Sequence, residues 1–146
     1  MMYRSEHGDP NMTRKDQAIY DVNAPASIAS AIFLGTIGVI SFIVQPGLVQ
    51  GFVTSLSLTE AQANDIVGIE MMGVALATIL VALLGERVDW RRLTALALVV
   101  GAIADLASAA VTHSQSLALA RFTSGFGHGA IISLSFTFVG LTAKPD

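Results

Sequence analysis

The chain has 146 residues, of which 53% are hydrophobic and only 13% charged, with a formal net charge of −3 and no cysteine. A soluble domain carries about 25% charged residues, so this composition excludes an ordinary water-facing surface, and the lack of cysteine excludes disulfide and thiolate chemistry. No basic stretch interleaved with aromatics is present, which argues against a nucleic-acid partner.

Residues 1–25 read as a flexible tail. They carry Arg4, Glu6, Asp9, Arg14, Lys15 and Asp16, broken by Gly8-Asp9-Pro10-Asn11. After Asp21 no acidic or basic residue occurs until Glu60. That run exceeds both the roughly 20 residues needed to cross a bilayer and the roughly 7–15 of a signal-peptide core. Residues 26–146 are therefore expected to form an all-α, multi-pass membrane segment. Its helices are placed at about 27–52, 60–84, 93–112 and 117–143. Strands are a poor alternative: period-two alternation is absent, and the segments are too long for barrel strands of about 10 residues.

The first segment contains Gln45, Pro46 and Gly47, which neighbouring helices make tolerable in lipid. The second opens near Ser57-Leu58-Thr59-Glu60-Ala61-Gln62. Either Ser57 with Glu60 or Thr59 with Gln62 has the spacing of a capping box. Between the second and third segments lie Glu86, Arg87, Arg91 and Arg92. His113-Ser114-Gln115-Ser116 is read as a polar turn before the fourth.

Basic residues set the expected orientation. The tail, the second connection and Lys144 hold the basic residues around the spans, whereas the first and third connections hold none. With four spans, every cationic connection falls on the cytoplasmic side, together with both termini. A multi-pass position in the cell membrane follows as the expectation.

At about 1.5 Å per residue, this orientation puts Glu70 roughly 10–15 Å below the outer face, Asp105 about 10 Å and Arg121 about 6–8 Å. His128 lies deeper, near the midplane. Charges in a bilayer cost about 3 kcal/mol or more each and usually face a partner or a wet cavity. One reading is a transport or gating cluster of Glu70, Asp105 and Arg121. A second is an ion pair that merely locks helices, and a third has Arg121 snorkelling to the outer interface. His128 reads either as a proton carrier or as a hydrogen-bonded packing residue. Gln45 is a further candidate for the lining of a cavity.

Gly125 and Gly129 form a Gly-x-x-x-Gly pair suited to close helix packing. On the third segment Gly101, Asp105, Ser108 and Thr112 share one small, polar face. His7, His113 and His128 lack metal-ligand spacing, and no motif gathers a hydrolytic triad. Neither enzyme activity, a metal nor a cofactor is expected.

Two stretches carry a resemblance. Leu117, Arg121, Ser124, Gly125, Gly127 and Gly129 keep the register of a helix-four arginine motif, with Ser124 at a position that is often glutamine. Ala82-Leu83-Leu84-Gly85-Glu86-Arg87-Val88-Asp89-Trp90-Arg91-Arg92 is similar to a loop signature between helices two and three. There Glu86 stands at the acidic position, with Arg87 and Arg91 at basic ones, while Ala82 and Asp89 replace glycines. The short linker Leu56–Ala63 matches in character as well. Together these stretches resemble the N-terminal half of the major facilitator superfamily, whose members are twelve-helix secondary transporters.

The resemblance implies alternating-access transport of a small-molecule substrate, with protons as an expected coupling ion. It gives Glu86, Arg87 and Arg91, with Arg92 beside them, the role of a cytoplasmic latch, and gives Arg121 a role in gating or proton movement. Because that fold has twelve helices, the chain is expected to be a fragment lacking the C-terminal portion of a transporter, and not to transport alone. Two alternatives stay open. One is a self-contained four-helix dimeric drug or metabolite transporter, although the first segment lacks the acid that the small multidrug resistance family uses there. The other is a non-transporting membrane partner subunit.

Overall fold

The computed structural model describes residues 24–84 and 88–142, with side chains described up to residue 140. Four helices account for nearly all of them: α1 (Pro25–Leu56), α2 (Glu60–Leu84), α3 (Trp90–Ala110) and α4 (Ser114–Thr142). Each contains a window long and apolar enough to cross a membrane. Glu86, Arg87, Lys144 and the tail residues lie outside the described residues.

Local chemistry explains where the helices begin and end. Pro25 opens α1, where a missing N–H costs nothing. The helix then runs through Pro46 to Leu56, beyond the expected end near 52, and at 32 residues is about 48 Å long. Ser57 ends it in the left-handed region, at φ 54°. Of the two possible capping boxes, the structure forms the Thr59–Gln62 one. The Thr59 amide donates to Gln62 Oε1 at 2.9 Å, and the Gln62 amide donates to Thr59 Oγ1 at 3.3 Å.

α3 starts at Trp90, three residues before the expected position. Asp89 caps it by accepting from the Arg91 and Arg92 amides, so the residue that breaks the loop signature supplies a helix cap. α3 also ends at Ala110, which removes Thr112 from its polar face. Thr112 is exposed, and its hydroxyl meets His113 Nδ1 at 3.3 Å. The third connection shrinks to Val111–His113 because Ser114, Gln115 and Ser116 already belong to α4.

The contacts fix the directions of the helices. Glu70 and Val74 of α2 meet Gly125 and Gly129 of α4 in ascending order, so these two helices run parallel. Gly101 and Asp105 of α3 meet Gly127 and Ser124, and Ala31 and Gly38 of α1 meet Ser135 and Ile132. Both helices therefore run opposite to α4. Up-and-down alternation follows, as four successive crossings require.

α4 is the hub. Half of its apolar window (50%) is buried, against 17% to 22% for the other three, and it is the least apolar of the four. The two facts have one cause. A helix surrounded by protein can be rich in glycine and serine, whereas helices facing lipid cannot gain by it. α2 buries Ala63, Ile66, Glu70, Gly73, Ala77 and Val81 along one stripe against this hub. Outward, large apolar side chains such as Phe33, Ile43, Leu83, Ile103 and Leu106 stand exposed. In water they would be a liability; in lipid they are the expected surface.

Glycines bring the backbones together. A Cβ on Gly125 would lie 2.1 Å from the Glu70 carbonyl oxygen, and one on Gly73 would lie 2.3 Å from that of Phe122. Gly129 plays the same part against Val74, and Gly127 against Gly101. The odd-numbered glycines of α4 thus serve two neighbours at once.

Candidate functional site

The close approach of α2 and α4 sets the centre of the site. Glu70 is fully buried and Arg121 is 4% exposed. Arg121 Nε donates to Glu70 Oε2 at 3.1 Å and Nη2 to Oε1 at 2.5 Å, a two-pronged pairing of guanidinium and carboxylate. The third prong, Nη1, donates to Asp105 Oδ1 of α3 at 3.0 Å. One cation therefore binds two carboxylates from two other helices. Arg121 turns inward, so the snorkelling alternative is not taken.

Asp105 differs from Glu70 in access, because its side chain is 40% exposed. It is also the junction to a second set of groups. Ser124 Oγ donates to Asp105 Oδ1 at 2.5 Å and lies 3.2 Å from His128 Nδ1. His128 Nε2 lies 3.5 Å from Asp105 Oδ2, closing a ring. Ser124 and His128 are one helical turn apart on α4, and Arg121 precedes Ser124 by three residues, so one face of α4 carries all three. Within this site no described buried side-chain nitrogen or oxygen lacks a hydrogen-bond partner.

Counted with both carboxylates ionised and His128 neutral, the cluster of Glu70, Asp105, Arg121 and His128 carries one net negative charge. α1 adds no acidic or basic side chain to it. In a low-dielectric interior an uncompensated charge is costly, and Asp105 is the one carboxylate of the cluster with an exposed side.

Other candidates fall elsewhere. Gln45 is part-buried on α1 and donates from Nε2 to Met71 Sδ at 3.4 Å, outside the network. Ser108 donates back to the Asp105 carbonyl oxygen at 2.7 Å, which occupies its hydroxyl within α3. Arg91 and Arg92 lie exposed at the start of α3, where Arg92 approaches Asp89 at 3.6 Å. Ser124 was not among the candidate residues, yet it joins Asp105 to His128. The available signal was its spacing, three residues after Arg121 and four before His128.

The helices and their apolar surfaces define the class: a membrane protein with, among the described residues, four helices long and apolar enough to cross a bilayer and a buried charge cluster among three of them. Comparison with protein-family models, with curated proteins and with solved structures found no match.

Proposed function

We propose that these four helices are part of a secondary active transporter of the major facilitator type, moving a small solute by alternating access. In this reading the chain sits in the cell membrane with both termini and residues 85–89 on the cytoplasmic side, and Arg121 is the gating residue. The carrying observation is that Arg121 holds a sealed carboxylate, Glu70, and an open one, Asp105, at the same time. Ionisable groups this deep in a membrane usually mark a solute or ion path. A cation with one inaccessible and one accessible partner can exchange the second without losing the first.

A further support is that the motif residues Leu117, Arg121, Ser124, Gly125, Gly127 and Gly129 are all buried against neighbouring helices. The latch role of Glu86, Arg87, Arg91 and Arg92 and the cavity role of Gln45 belong to the same proposal. The rival reading is a structural lock, which the complete pairing of Arg121 with Glu70 also fits.

Uptake by cells expressing the full-length protein, measured over a panel of small organic solutes, tests the transport reading. At least one solute is expected to move. Arg121→Ala, inserted at the wild-type level, is expected to lower that movement at least about tenfold, the ratio corresponding to about 1.4 kcal/mol. Undiminished movement by the variant removes Arg121 from the mechanism.

A further inference from the structure

We propose that Asp105, Ser124 and His128 form a binding site for one proton, gained and lost at His128 Nε2. The argument is a count of hydrogens. The ring has three edges: Ser124 Oγ to Asp105 Oδ1 at 2.5 Å, Ser124 Oγ to His128 Nδ1 at 3.2 Å, and His128 Nε2 to Asp105 Oδ2 at 3.5 Å. The first two edges are hydrogen bonds and the third is a longer ion-pair approach, so making all three into hydrogen bonds needs three hydrogens. A serine hydroxyl supplies one and a neutral imidazole one, while an ionised carboxylate supplies none. With two hydrogens, one edge sets lone pair against lone pair.

The geometry identifies that edge. Ser124 donates to Asp105, so its oxygen accepts from His128 Nδ1–H. Nε2 is then left bare, facing Oδ2 across the longest of the three edges. A proton taken from water forms the N–H bond on the Nε2 lone pair, completes the ring and makes His128 a cation beside Asp105. On release that bond breaks, the electron pair returns to Nε2, and the proton returns to water.

Charge gives the same answer independently. Glu70 of α2, Asp105 of α3 and Arg121 of α4 sum to one negative charge, and α1 contributes no titratable group facing the ring. Glu60 and Asp65 of α2 are exposed, as is His113 ahead of α4. A single added proton brings the cluster to neutrality. Asp105, 40% exposed, provides the opening through which it arrives, while Ser124 is fully buried and His128 nearly so.

This deepens the transport proposal by locating its coupling proton, and it rests on that reading for coupling alone. The proton itself is read without transport. The full-length protein in lipid, with ¹⁵N-labelled histidine and ¹³C-labelled aspartate, is titrated while ring-nitrogen resonances and carboxyl infrared bands are recorded. His128→Gln and Asp105→Asn assign the signals. The expected result is a third hydrogen gained in one transition that His128 and Asp105 report at a common midpoint, whereas three hydrogens held throughout would contradict the proposal. Ser124→Ala is expected to split that midpoint into two. A ring that never holds more than two hydrogens, or wild-type signals that move independently, overturns the proposal. Intact proton binding without solute movement in the uptake assay would retain this site and discard transport.

Discussion

Arg121→Ala is expected to lower the stability of the membrane-embedded fold by about 3–5 kcal/mol, the usual consequence of removing one partner from a buried ion pair. The side chains concerned justify the full figure: Glu70 is inaccessible and Arg121 is 5% exposed, so water cannot replace the lost partner. The variant leaves two carboxylates with no cation between them. Unfolding in graded denaturing detergent measures the loss.

The informative companion is the double replacement Glu70→Met with Arg121→Met. Apolar residues of similar volume often restore or exceed the stability of a buried ion pair. Stability should therefore recover in the double variant. If solute movement stays lost while stability returns, the charges serve transport. If both return, the pair is only a lock, and the proposed function fails with the fold intact.

The second large effect concerns the helix seam. Gly125→Val is expected to cost about 3 kcal/mol, the upper end for overpacking. The first atom a new Cβ meets is the Glu70 carbonyl oxygen at 2.1 Å, followed by that residue's Cγ at 3.0 Å. Backbone cannot rotate away as a side-chain tip can, so α2 must retreat and take Glu70 from Arg121. The contrast is Gly47→Ala in α1, where nothing lies within 4 Å of the added carbon. There the exchange should be neutral or stabilising by up to about 1 kcal/mol, as alanine for glycine is in a helix interior. The same detergent unfolding compares both variants; equal costs at the two positions would contradict the account of the seam.

Much of this arrangement was legible from residue type and spacing. The charge-free stretch before Glu60, the polar breaks near 57 and 86, and the helical rise of about 1.5 Å per residue put Glu70, Asp105 and Arg121 at similar depth, and the structure bonds both acids to Arg121. Helix ends were less legible. Pro46 does not stop α1, since a long apolar helix in lipid has no better way to satisfy its backbone. Asp89 and Ser114 started helices earlier than the apolar runs alone indicated, because capping and first-turn residues are polar. Partner choice was not legible. Nothing in the sequence decides whether an arginine near a membrane face turns outward or inward. That depends on the glycines of α4, which let α2 approach until Glu70 is within reach. Ser124 is legible only as a motif position, since serine is common on tightly packed membrane helices, and only the positions of Asp105 and His128 around it give its hydroxyl a role.

In the orientation we propose, the charge cluster hangs between alternating membrane spans, with the α2–α3 connection inside and the α3–α4 connection outside. These 146 residues hold no cysteine, so a cysteine introduced among them is read with a membrane-impermeant thiol reagent against the unsubstituted protein as control. In intact cells Gln115→Cys is expected to react at once, and Val88→Cys only after permeabilisation. Reaction of Val88→Cys from outside while Gln115→Cys stays protected, or reaction of both from the same side, would contradict the account.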